Sequence, residues 1–172
     1  MLDQKEIYRY SRQILLPEIG LKGQEKLKAA RVLVVGAGGL GTPVLMYLSG
    51  AGIGTIGIAE FDKVDISNLQ RQFLYGTAES GARKIDLAAE HILKLNPSVV
   101  VNRHDQYLNK ENIRAILQNY DLVIDGSDNL PTRYLVNDAC VLHYLPLVYG
   151  AIYKYEGQAG FFNLPLTHGS RS

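Results

Sequence analysis

The apolar residues fall in short blocks separated by polar turns, and the blocks switch between two periods. Residues 31–35 (Arg-Val-Leu-Val-Val) are rich in valine and leucine with no polar alternation. Such a run predicts a strand buried on both faces, as in a parallel sheet. Residues 40–49 follow with Leu40, Val44 and Leu48 at i, i+4 spacing, which predicts a helix. Pro43 is compatible because it lies in the first turn, where N–H groups lack intrahelical partners. The same reading predicts strands over 55–59, 99–102, 121–125, 147–149 and 160–163. It predicts helices over 82–95, 110–118 and 134–143. In the first of these, Ile85, Ala89, Ile92 and Leu93 face inward and Asn96-Pro97 ends the helix. Two short helices, 3–10 and 21–30, precede the first strand, separated by Pro17 and Gly20.

Strands alternating with helices imply a Rossmann-like, doubly wound α/β fold: a mostly parallel sheet with helices on both faces and an N-terminal helical segment over 1–30. The expected organisation is one domain over 1–172. Right-handed crossovers then gather ligands at the carboxyl ends of the strands. Charged residues make up 20%, apolar residues 47%, and the formal net charge is +1. That balance gives no case for nucleic acid or a membrane as partner. No apolar stretch approaches the ~20 residues needed to span a bilayer. The polar N-terminus does not read as a secretory signal. The single cysteine, Cys140, has no internal disulfide partner, and a cytoplasmic location is expected. Cys140, among Ala139, Val141 and Leu142, reads as a small buried apolar residue.

Candidate chemistry sits where the strands end. Gly36-Ala37-Gly38-Gly39-Leu40-Gly41 follows the first strand and opens the next helix. A turn of this kind brings backbone N–H groups and a helix N-terminus against phosphate oxygens. It can also simply let a helix pack close to a strand. Glu60 follows Gly36 by 24 positions, near the spacing of an acid that binds a ribose hydroxyl. Glu60 and Asp62 point the same way from an extended segment, and either could instead be a solvated strand-end carboxylate. Asn68, Arg71, Gln72 and Lys84 could contact polyphosphate: arginine forks onto two oxygens, lysine acts as a point charge, and the amides donate hydrogen bonds. As surface cations and turn-capping amides they would do none of this. Lys84 near a helix start is against the usual dipole preference, and a bound anion would resolve the mismatch. Asp128-Asn129 follows the strand over 121–125. Asp128 could hold Mg²⁺ that bridges phosphate oxygens, or cap the helix that begins near Pro131.

Taken together, Arg9-Tyr10-Ser11-Arg12-Gln13, Gly36–Gly41, Phe61-Asp62, the Asn-x-x-Arg-Gln element within 67–72, Lys84 and the Asp-Asn-x-x-x-Arg element ending at Arg133 resemble the ThiF/MoeB family. These are the adenylating enzymes of thiamine and molybdopterin biosynthesis, relatives of ubiquitin-activating enzymes. The resemblance runs to about Gln158. It implies ATP and Mg²⁺ as cofactors, and adenylation of the C-terminal glycine carboxylate of a ubiquitin-like sulfur-carrier protein ending in Gly-Gly, with release of pyrophosphate. It further implies that Gly39 and Gly41 belong to the phosphate turn and Glu60 is the ribose-binding acid. Asn68, Arg71 and Lys84 match the phosphate-contacting set, and Asp128 the metal-associated aspartate. Arg12 matches an arginine that reaches the ATP of a neighbouring subunit, which implies a homodimer. Glu60 stands where the family commonly has aspartate. Many members continue with two Cys-x-x-Cys zinc pairs and a sulfur-transfer cysteine. This chain ends at Gly169-Ser170-Arg171-Ser172 without them, so zinc and the sulfur-transfer part are not expected here.

Three other readings compete. A relative could adenylate a peptide or a modified tRNA base. A non-catalytic or truncated member could bind only ATP or a partner. An NAD-dependent dehydrogenase would need a nicotinamide half-site and a substrate acid–base group, and none of the four histidines is placed for it.

Overall fold

Val32 and Val34 of β1 (Arg31–Val35) pack into one apolar cluster and Leu33 and Val35 into another. The period-2 alternation of a strand therefore feeds two cores rather than one core and solvent. The computed structural model describes residues 1–164; the chain end at Gly169–Ser172 lies outside the described residues. Five parallel strands and one antiparallel strand form a sheet of order β3-β2-β1-β4-β5-β6. The other strands are β2 (Thr55–Ala59), β3 (Val100–His104), β4 (Leu122–Asp125), β5 (Leu147–Tyr153) and β6 (Glu156–Phe162). Helices α4 (Gly41–Ala51) and α5 (Lys84–Leu95) cover one face through Leu45, Ile85 and Ile92. Helices α6 (Ile113–Leu117) and α7 (Leu130–Leu142) cover the other through Ile116, Leu117 and Val136. The chain runs outward from β1 through β2 to β3, then returns to start β4 on the other side of β1. The expected Rossmann-like, doubly wound architecture is thus the observed one, and its switch point lies between β1 and β4.

Register sets where the chemistry sits. Val35 is aligned with Ala59 of β2 and with Asp125 of β4. The three strands therefore end at one level, and Gly36, Glu60 and Gly126 leave it side by side. Gly36 has φ +87°, a conformation glycine adopts without steric cost. At Gly41 a Cβ would lie 1.8 Å from the Gly36 carbonyl oxygen. That position is thus held to glycine by close approach of helix to strand.

Several elements differ from their sequence-based bounds. The N-terminal segment is three helices, α1 (Gln4–Arg9), α2 (Ser11–Ile14) and α3 (Gly20–Ala29): the first and third match the two predicted ones, and the short α2 after Tyr10 is additional. Leu45 of α4 is fully buried with Val44 and Leu48 packed against the same cluster, while Leu40 precedes the helix and leans over Gly126 and Gly150. Leu93 of α5 is 44% exposed. It lies one residue, about 100° of rotation, beyond the inward Ile92. Helix α7 starts four residues earlier than the apolar spacing suggests, since Asn129 caps it and Pro131 fits its first turn. Helix α6 is shorter, because Asn109 and Asn112 tie the preceding backbone into turns. Strand β3 runs on through Arg103 and His104 as a sheet edge, where burial no longer demands apolar residues.

A buried polar network fastens the N-terminal segment. Asn96, at the C-terminal end of α5, donates from Nδ2 to the Tyr10 hydroxyl (2.8 Å) and to the Ser49 carbonyl of α4 (2.7 Å). Gln13 and Gln24 both donate from Nε2 to the Ala51 carbonyl, and Gln13 Nε2 also donates to Gln24 Oε1 (2.9 Å). Asn96 and Gln24 are fully buried. Asn96→Ala leaves the Tyr10 hydroxyl and the Ser49 carbonyl without that donor. The expected loss is about 2–3 kcal/mol, read as a lower urea midpoint at unchanged slope. A loss under about 0.5 kcal/mol would show that water replaces the amide.

Candidate active site

A cavity of about 360 Å³ opens where β1, β2 and β4 end. Its floor is the glycine turn. Gly36 donates to the Ala59 carbonyl (2.9 Å), and Thr42 donates to the Gly38 carbonyl (2.9 Å). Among the described residues, the N–H groups of Gly38, Gly39 and Leu40 donate to no protein acceptor, and all three residues line the cavity. Undonated amides at the start of an eleven-residue helix are what an anion needs. Gly41 does not reach the cavity wall; its contact with Gly36 is with the turn itself.

Glu60 is buried and its carboxylate is held by backbone. Oε2 accepts from Ala37 N–H (2.8 Å), and Oε1 accepts from the N–H groups of Phe61 and Asp62 (both 2.9 Å). The solvated-carboxylate alternative is therefore excluded for Glu60, which both lines the cavity and staples its first turn. Asp62 is exposed and pairs with Lys84 at 3.3 Å. Lys84 begins α5 and is only 4% exposed. An ammonium has three donors, and this one has a single distant partner within the wall of the cavity. A buried cation so poorly paired is costly without a further anion. The surface-cation reading does not hold for it.

Asn68 closes the 3-10 turn Ile66–Asn68, whose start Asp65 caps by accepting from Ser67 N–H. Asn68 Oδ1 accepts from Arg71 Nη2 and from Gln72 Nε2, both at 3.1 Å. Gln72 is buried, and its Oε1 has no partner. The stem of Arg71 lies 3.5 Å from where a Gly39 Cβ would be, so Gly39 makes room for this arginine. Asp128 is exposed at the cavity wall, with no hydrogen bond or ion pair among the described residues. The helix-cap alternative for Asp128 is overturned, because Asn129 accepts from Thr132 N–H (3.0 Å) and caps α7.

Besides Gly41, which stays behind the turn, Arg12 is the candidate not brought to this cavity. It is exposed on α2, which is fastened to the C-terminal ends of α4 and α5. The cavity lies at their N-terminal ends, about 16 Å away along α4. The structure gives roles to two further residues that were not assigned to the site. Arg133 Nε and Nη2 donate to the Ser127 carbonyl (3.2 and 2.9 Å), with the guanidinium over the Tyr149 ring. This fixes the backbone just before Asp128. Arg133 closes the Asp-Asn-x-x-x-Arg element, so its spacing was a usable signal. Tyr75 donates to the Ala37 carbonyl and carries no such signal.

The ThiF family pattern matches residues 10–172. The chain is 53% identical over 166 residues to the sulfur carrier protein adenylyltransferase of Thermus thermophilus, covering 96% of this chain and 61% of that protein. It is 52% identical over 161 residues to the probable adenylyltransferase/sulfurtransferase MoeZ of Mycobacterium tuberculosis, covering 94% of this chain and 41% of that protein. It superimposes on the crystal structure of E. coli tRNA N6-threonylcarbamoyladenosine dehydratase, TcdA, in complex with ATP. The TM-score is 0.82 at 27% identity, over 87% of this chain and 61% of that one. The chain thus spans between about two fifths and three fifths of the length of these relatives.

Asp125 offers a pH test of the cavity's support. It is buried under the loop to Asp128, with Oδ1 accepting from Ser127 N–H and Oδ2 unpartnered. Burial pushes its carboxyl above the usual aspartate range, against the opposing hydrogen bond from Ser127. The folded state therefore holds this proton more tightly than the unfolded chain, and stability is lost as pH rises from the unfolded value through the folded one. Asp125→Asn removes that dependence. Its stability relative to the native protein should climb as pH goes from about 3 to about 7, followed by urea unfolding. A pH-independent difference would mean an ordinary folded titration.

Proposed function

The chain belongs to the ThiF family, and we propose that it is the ATP-binding adenylation domain of an adenylyltransferase that activates the C-terminal glycine carboxylate of a small ubiquitin-like sulfur-carrier protein. The observation that carries this reading is the convergence of three undonated turn amides and a nearly buried, poorly paired Lys84 on one cavity. Relatives named sulfur carrier protein adenylyltransferase and probable adenylyltransferase/sulfurtransferase MoeZ support the choice of reaction.

In this reaction a carboxylate oxygen of the carrier attacks the α-phosphorus of ATP. A new P–O bond forms, the bond to the β-phosphate breaks, and pyrophosphate leaves with the electron pair. No proton has to move and no enzyme nucleophile is needed. The barrier is the meeting of two anions, which calls for alignment and charge neutralisation. Lys84, Arg71 and the amides of Gly38 and Gly39 would bind the polyphosphate, with Asn68, itself bonded by Gln72, holding Arg71. Glu60 would meet the ribose with the lone pairs its backbone contacts leave free. Asp128, an unpaired carboxylate at the wall, suits a Mg²⁺ carried in with the phosphates, which when bound would neutralise phosphate charge. Cys140 takes no part: it is buried, and burial pushes its thiol up to about 12.

Arg12 supports a homodimer. Its separation from its own cavity, and its exposure on a fastened turn, suit an arginine presented to a second copy's ATP.

The test of the reaction is ATP–pyrophosphate exchange with carriers ending in Gly-Gly. Carrier-dependent exchange is expected, and Lys84→Ala should lower it about 10²–10³-fold with little change in melting temperature. Parallel loss of exchange and melting temperature would make Lys84 a structural residue. No exchange with ATP binding intact would leave a binding module. For Arg12, mixing Arg12→Ala with Asp128→Ala should restore up to about a quarter of native activity through mixed dimers with one sound site. No recovery in verified mixed dimers sinks the cross-subunit role.

A further inference from the structure

We infer that Tyr75 is a positioning residue of the polyphosphate site: its hydroxyl holds the Ala37 carbonyl and so aims the Gly38 N–H into the cavity. The inference rests on the nucleotide reading above and deepens it.

The argument is one of peptide geometry. A trans peptide carries its C=O and N–H on opposite sides of one plane. The Tyr75 hydroxyl donates to the Ala37 carbonyl at 2.9 Å in a buried setting. The N–H of the same peptide belongs to Gly38 and must point the other way. Gly38 lines the cavity, and its N–H has no protein acceptor among the described residues. The preceding peptide is fixed as well, since Glu60 Oε2 accepts from the Ala37 N–H. Two successive peptide planes are thus set by two side chains from different loops. Neither side chain needs to touch the phosphates. Without the Tyr75 bond, the Ala37–Gly38 peptide joins two residues of low steric demand, and rotation of its plane turns the Gly38 N–H out of the cavity.

Tyr75 is itself well held. It packs in the core cluster under α4 and α5 with Leu74, at 5% exposure. The next turn, Thr77–Glu79, is closed by Glu79 accepting from Gly76 N–H at 2.7 Å. Burial, with the negative charges of Glu60 and Glu79, pushes the phenol far above its usual range. It is therefore a neutral donor at every working pH, and the carbonyl it serves has no rival partner among the described residues.

Tyr75→Phe keeps the ring and removes only the donor. Binding of ATP and of adenosine, which lacks phosphates, is measured for native and variant protein by calorimetry or NMR titration. The expected result is ATP binding weakened about tenfold with adenosine binding changed less than about twofold. Unchanged ATP binding overturns the inference, and so does an equal loss for both ligands, which marks a general structural role. Failure of the native protein to bind ATP would instead defeat the nucleotide reading on which the inference stands. If the variant does not fold, native protein labelled with ¹⁵N-glycine gives a second measurement. The Gly38 amide should be rigid without nucleotide, with an order parameter near ~0.85, and should shift with ATP. A mobile Gly38, below ~0.6, or one that ATP leaves unshifted, overturns it.

Discussion

The alignment of Val35 with both Ala59 and Asp125 is the constraint from which the rest follows. Parallel pairing fixes the three strand ends at one level, so each next residue enters the same small volume. Gly36 starts the turn, Glu60 reaches back to staple it, and Gly126 packs so tightly that a Cβ on Gly36 would meet its carbonyl at 3.2 Å. A slip of one residue in either pairing would send every one of these groups to the opposite face. The apolar clusters on both sides of β1 make such a slip costly, since all four of its buried residues would change cores.

Net charge conceals how the cavity works. The chain carries +1 overall, yet the cavity gathers amides that lack acceptors, a buried lysine and two arginines around three carboxylates, of which Glu60 and Asp128 are in unequal condition. Glu60 is held by three backbone donors. Asp128 is bound to nothing described. Similar side chains thus have different uses, set by local hydrogen bonding rather than by residue type. Lys84 shows the same principle from the cationic side. Its place at the start of α5 opposes the helix dipole, and its burial removes the water that would otherwise offset this.

Those features that depend on local order were legible in the sequence. The glycine turn, Glu60, the Asn-x-x-Arg-Gln element and Lys84 stand in fixed order after predicted strands, and the fold brings them together. Features that depend on contact across the sheet were not. Tyr75 lies in a loop with no periodic signal, and only the packing of that loop beneath α4 carries it to Ala37. Asp128 and Asn129 are adjacent and both suit a helix cap; only backbone geometry separates them. The edge strand β3 and the β5–β6 hairpin extend beyond their predicted bounds, because edge positions such as Arg103, Gly157 and Gln158 need not be apolar. Arg12 could be matched to a family position, but its distance from the cavity is a property of the fastened N-terminal helices alone.

The pairing of β1 with β4 also orders events in time. Arg31 and Asp121, which bond where these strands begin, are 90 positions apart, and such distant contacts close late because the loop entropy must be met first. Gly126 donates to the Val35 carbonyl right at the turn. During synthesis, then, the glycine segment and its partners Glu60 and Tyr75 emerge early, whereas the cavity wall carried by the fourth strand and the loop to Asp128 is added last. Nucleotide would be bound only by chains that have completed this long-range pairing, so ligand capture by nascent chains of graded length would time the closing of the sheet.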